Sequence, residues 1–150
     1  MDIATPDAVA ELPRPLTDGE PALAKSTRAR ILVAEDDRAI RRYLQVILER
    51  AGYEVVAAVD GLEAMKAALS SPVDAVVTDA IMPHLGGEQL CRFLRQHPQL
   101  STLPIVLLSG VREATATTAT PHARESADAY LSKPVRPEEL TSCLARLLAA

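Results

Sequence analysis

Four polar stations in this sequence carry groups that could do chemistry together: the acids Glu35, Asp36 and Asp37, the single Asp79, the hydroxyl of Ser109 and the amine of Lys133. Each closes a short apolar run, so each stands where a strand would end. Taken singly, each has an ordinary structural use: an Asp can cap a helix or start a turn, a Ser can do the same, and a Lys can simply be solvated. Their shared placement favours a site. Carboxylates gathered at one edge repel one another and bind protons, unless a divalent cation and a lysine offset the charge. The set therefore implies Mg²⁺.

Such a site needs elements that bring the four stations to one edge. Apolar runs at 31–34, 55–57, 73–77, 105–108 and, more weakly, 129–131 are short, as befits strands covered on both faces. Between them lie helical stripes. Ile40, Leu44, Ile47, Leu48 and Ala51 form the first, stopped by Gly52; Leu62, Met65 and Leu69 follow Asp60-Gly61; Leu90, Phe93 and Leu94 come next. Leu140, Leu144, Leu147 and Leu148, opened by Pro137, form the last. Alternating strands and helices predict an α/β fold, a parallel sheet with right-handed crossovers and helices on both faces. In such a sheet, sites form outside the carboxyl ends of the strands.

Composition narrows the function. A chain of 150 residues has the size of one domain, and a net charge of −4 with no basic run gives no footprint for direct nucleic-acid binding. No stretch nears about 20 apolar residues, so no membrane insertion is expected, and the acidic, proline-bearing start does not read as a signal peptide. A cytoplasmic location is expected. Cys91 and Cys143 fall in helical segments without a metal-type spacing and read as reduced core residues. Residues 1–28 hold Pro6, Pro13, Pro15 and Pro21 among small and charged residues, and read as a flexible extension before a domain at 29–150.

The segments ILVAEDD, VVTDAIMP, LPIVLLSG and AYLSKP together resemble the response-regulator receiver domains of two-component signalling, in the family's order, over residues 29–150. The resemblance implies a flavodoxin-like, doubly wound sheet of five parallel strands in the order 2-1-3-4-5. It implies Asp79 as phosphoacceptor, Asp36 as direct Mg²⁺ ligand with Glu35 in support, and the Ile81 backbone carbonyl completing the protein's share of the metal shell. Lys133 and Ser109 would each engage a phosphoryl oxygen. Ser109 and Tyr130 would form the switch pair, Lys133-Pro134 a cis peptide, and Gly87 a turn glycine. Asp37 falls outside the matched acids and reads as a helix cap.

On this reading the chain is a regulatory phosphoacceptor and no enzyme acting on outside substrates. It assists its own phosphorylation and autodephosphorylation, receives its phosphoryl group from a histidine kinase or histidine phosphotransfer protein, and acts on a downstream protein target. A haloacid-dehalogenase-type phosphohydrolase would need a second Asp two residues after the first, where Ile81 stands. A docking module without phosphorylation would not need all of Glu35, Asp36, Asp79, Ser109 and Lys133. The chain's end one helix after Lys133 suggests a stand-alone domain. Apolar Ile81 and Val111 suggest slow autodephosphorylation. The fourth helix, within 112–127, is expected to be short or broken, because four threonines and Pro121 oppose helical geometry.

Overall fold

The computed structural model describes residues 28–110 and 127–149. The expected extension lies outside them but for Arg28, as do Val111 and, but for Ala127, the segment 112–127. Five strands, β1 (Arg30–Ala34), β2 (Glu54–Ala58), β3 (Ala75–Asp79), β4 (Ile105–Ser109) and β5 (Ala129–Ser132), pair in parallel in the order β2-β1-β3-β4-β5. The described helices are α1 (Arg38–Arg50), α2 (Gly61–Ser70), α3 (Gly87–Gln96) and α4 (Pro137–Ala149). This is the order that the resemblance implies.

Alternate residues of each strand face opposite layers. Ile31 and Val33 pack with Leu44, Ile47 and Leu48 of α1 and Leu140 and Leu144 of α4. Leu32 and Ala34 pack with Ala64 and Ala68 of α2 and Leu90, Cys91 and Leu94 of α3. Because both faces are covered, the central strands read as unbroken apolar runs, and every residue of β3 and β4 is buried. Both cysteines are buried and free, Cys91 at the α3 face and Cys143 at the α4 face.

Side chains decide where helices begin. Asp37 caps α1 by accepting from the Ile40 amide at 3.0 Å, as expected of it. Asp60 caps α2 by accepting from the Glu63 amide at 2.8 Å, while the Glu63 carboxylate accepts from the Val59 amide at 2.7 Å. The expected apolar stripe of α2 is corrected. Leu62 and Leu69 are 41% and 54% exposed, and the buried face is Gly61, Ala64 and Ala68. Met65 does pack against the core as expected, so the buried face is shifted toward the alanines and leaves both leucines outside it. Small residues on the buried face let the helix approach β1, β2 and α3 closely, which two leucines there would prevent.

Candidate functional site

Parallel pairing sends every strand's carboxyl end to the same edge, and the polar stations collect there. β3 runs on to Asp79, two residues past the expected strand, and β4 ends in Ser109. Glu35 follows β1 and continues its ladder, donating from its amide to the Ala58 carbonyl at 3.1 Å. Lys133 follows β5, its amide donating to the Ser109 carbonyl at 2.8 Å. From there the Lys133 Nζ lies 2.7 Å from Asp79 Oδ1 and 3.3 Å from Glu35 Oε1.

Glu35, Asp36 and Asp79 each offer a carboxylate oxygen, and these oxygens lie within 4.8 Å of one another. Glu35 is only 1% exposed and Asp79 is buried, while Asp36 is exposed. Burial is the chief cause that pushes the Glu35 carboxyl up to about 7; the Asp37 amide, donating to Oε2 at 3.1 Å, opposes it, Asp79 adds to it and Lys133 reduces it. Asp79 is also raised above the ordinary carboxylate range, by burial first, against the pull of Lys133 and of the Ile81 amide. Burial would lower the Lys133 ammonium, yet its bonds to Asp79 and Glu35 leave it raised. One ammonium does not neutralise three gathered acids. A hard divalent cation with oxygen ligands fits the donor set and the residual charge.

Backbone ties hold the acidic turn and the lysine loop. Arg41 of α1 donates to the carbonyls of Glu35, at 2.9 Å, and Asp36, at 3.5 Å. Tyr43 of α1 donates to the Val135 carbonyl at 3.0 Å, just past the Lys133-Pro134 peptide, which is cis as expected. Neither residue was singled out from the sequence. Arg41 was legible in principle, since it lies one turn into a helix that starts at the acidic turn. Tyr43 was not, because its acceptor is 92 residues away. Beside the lysine loop lies a largely apolar cleft of about 280 Å³, lined in part by Ile40, Tyr43, Pro134 and Val135.

The loop after Asp79 passes over the same edge. Ile81 is 61% exposed and Met82 is buried. His84 has a φ of 70°, in the left-handed region. Gly87 brings the loop back: its amide donates to the Ala80 carbonyl at 2.9 Å, and a Cβ there would collide with the Asp79 carbonyl oxygen. The turn glycine is thus required by close approach. Ser109 is buried at its strand end, and Tyr130 is half-buried on β5, its Cα level with Leu107 of β4.

Comparison with known proteins identifies the family of the fold. The family model of the response regulator receiver domain matches residues 31–145. The chain is 41% identical over 119 residues to the response regulator MprA of Mycobacterium sp. (strain KMS), covering 79% of this chain and 50% of MprA. It is 36% identical over 119 residues to the alkaline phosphatase synthesis transcriptional regulatory protein PhoP of Bacillus subtilis (strain 168), covering 79% and 48%. The chain therefore spans about half the length of these curated relatives. Among solved structures, the receiver domain of the sensor histidine kinase PA1611 from Pseudomonas aeruginosa PAO1, with a magnesium ion coordinated in its active-site cleft, is 25% identical. It superposes with a TM-score of 0.76, covering 83% of this chain and 100% of that one. The response regulator TrrA from Thermotoga maritima, in complex with Mg²⁺ and BeF, is 29% identical with a TM-score of 0.70, covering 79% and 98%.

Proposed function

The chain belongs to the response regulator receiver domain family of two-component signalling, and from that premise we propose that it is a Mg²⁺-dependent switch that takes a phosphoryl group onto Asp79. The observation that carries the reading is the contact of Lys133 Nζ with Asp79 Oδ1 at 2.7 Å, inside a cluster of three carboxylates. An Asp79 oxygen attacks phosphorus in line, an acyl-phosphate P–O bond forms, and the bond from phosphorus to the donor's histidine nitrogen, or to the leaving oxygen of acetyl phosphate, breaks. Lys133, released from its ion pair, follows the charge onto a phosphoryl oxygen, and the Ser109 hydroxyl donates to another.

Glu35, Asp36, Asp79 and the Ile81 carbonyl would hold Mg²⁺, which would supply positive charge to offset the acids and the incoming phosphoryl oxygens. Arg41, tied to two carbonyls of the acidic turn, keeps Glu35 and Asp36 in place. Tyr130 turns inward as Ser109 moves, coupling the site to the β5 surface. The donor is a histidine kinase or histidine phosphotransfer protein, for which the apolar cleft beside Lys133 offers a contact surface next to the acceptor. The downstream target is a protein; a net charge of −4 disfavours direct nucleic-acid contact by this domain. Among the described residues no helix is long and apolar enough to cross a membrane.

Acetyl phosphate with Mg²⁺ tests the assignment. Wild type takes up one phosphoryl group that mass spectrometry maps to Asp79, and Asp79→Asn takes up none. Equal labelling of that variant would overturn the assignment.

A further inference from the structure

The loop that follows Asp79 is fastened at its tip to α2, and the fastening is built from residues outside the acidic cluster. His84 Nδ1 lies 2.7 Å from Asp60 Oδ2, and the Gly61 amide donates to the Leu85 carbonyl at 3.0 Å. Gly61 is needed for the second contact, since a Cβ there would collide with that carbonyl oxygen. The other Asp60 oxygen caps α2 through the Glu63 amide. These bonds, with those to His84, hold the Asp60 carboxyl below its ordinary range. An ionised carboxylate can only accept, so Nδ1 of His84 carries the hydrogen.

The backbone at His84 shows that this fastening bears load. The Leu85 amide donates to the Pro83 carbonyl at 2.7 Å, closing a three-residue turn centred on His84 at φ 70°. A γ-turn with positive φ is the strained form, and such a conformation persists only where its surroundings over-determine it. The Asp60 carboxylate and the Gly61 amide are those surroundings. Unfastened, the turn would relax, and Ile81, three residues upstream, would be held only from the Ala80 side, where the Ala80 amide donates to the Leu108 carbonyl at 2.8 Å.

We propose that His84 is a positioning residue for the phosphoacceptor site: by donating from Nδ1 to Asp60 it clasps the loop after Asp79 onto the first turn of α2 and so fixes the Ile81 carbonyl. This rests on the reading of that carbonyl as part of the cation's shell. The side chain itself is 69% exposed and, among the described residues, bonds to none of Glu35, Asp36, Asp79 and Lys133, so its effect passes through the loop.

Two near-isosteric variants separate the clasp from backbone preference. Asn and Asp both tolerate positive φ. His84→Asn places an amide nitrogen where Nδ1 stands and can donate to Asp60, whereas His84→Asp sets a second carboxylate against it. Amide exchange across 80–86 in the metal-free protein, and Mg²⁺ affinity by calorimetry, are the two measurements. His84→Asn is expected to stay near wild type in both. His84→Asp is expected to exchange faster in the loop, with α1 unchanged, and to bind Mg²⁺ about tenfold more weakly, the loss typical of an outer support of a metal site. Equal loop exchange in the two variants would overturn the clasp. Faster exchange in His84→Asp with wild-type Mg²⁺ affinity would overturn the link to the cation. Failure of wild type to bind Mg²⁺ would overturn the proposed function, while the exchange data still judge the clasp.

Discussion

Two carboxylate centres share the carboxyl edge of the sheet and are built on opposite principles. At Asp60 one acid meets two donors, the Glu63 amide and His84 Nδ1, and its proton affinity falls. At Asp79 and Glu35 two buried acids share one lysine beside a third acid, and their proton affinity rises. The first centre is satisfied within the chain and stabilises the fold when ionised. The second is under-compensated, so the folded chain holds a standing preference for cations and for a change of charge at Asp79. Strand ends near a site can thus serve architecture or chemistry, and burial beside other acids, rather than the number of donors, tells the two apart.

The largest effects should come from breaking the second centre. Asp79→Asn loses the phosphoryl label entirely, yet in EDTA it should melt above wild type, because it removes a buried charge whose environment favours the neutral form. A lower melting temperature for the variant would mean that the Lys133 contact outweighs burial. Lys133→Ala should slow labelling by acetyl phosphate by about a hundredfold, as loss of one charge-stabilising donor does. Rates within threefold of wild type would remove Lys133 from the reaction.

Much of this edge was legible in the sequence because strand termini are local signals. The runs ending in Glu35, Asp79, Ser109 and Lys133 were readable from apolar continuity, and Asp37 from capping chemistry. What was not legible depends on distance in sequence or on the closeness of packing. The His84 contact joins residues 24 apart with no periodic signature. On α2, periodicity points to Leu62 and Leu69, but the helix buries Ala64 and Ala68, since close approach to a neighbour rewards small side chains. Hydrophobic size predicts burial only where there is room for it.

Smaller effects sharpen the contrast further. Mg²⁺ should raise the melting temperature of wild type, by about 2.7 kcal/mol of added stability at a hundred times its dissociation constant, and raise that of Asp79→Asn less. Equal shifts in both would place the cation elsewhere. Asp60→Asn should destabilise modestly, with a sign tied to pH. Because folding lowers the Asp60 carboxyl from 3.8, its contribution is present above that value and lost as the pH falls through the lower folded value. The stability gap between wild type and Asp60→Asn should therefore be widest near neutrality and close in acid. Urea titrations across that range check this, and a gap that widens in acid would contradict the assigned direction.

The parallel sheet also sorts the chain's points of attachment. β1 begins at Arg30, on the edge opposite the acids, and α4, starting just past Lys133, runs back along the sheet toward that same far edge. A strand of five residues spans roughly 17 Å. A dye or surface tether carried on Arg28 or Ala149 is thus anchored about that far from the phosphoacceptor, with the body of the sheet between them. Immobilised through either of those residues, the domain would present its reactive edge outward, an arrangement suited to pulling or surface-capture measurements in which a docking protein must still reach Asp79.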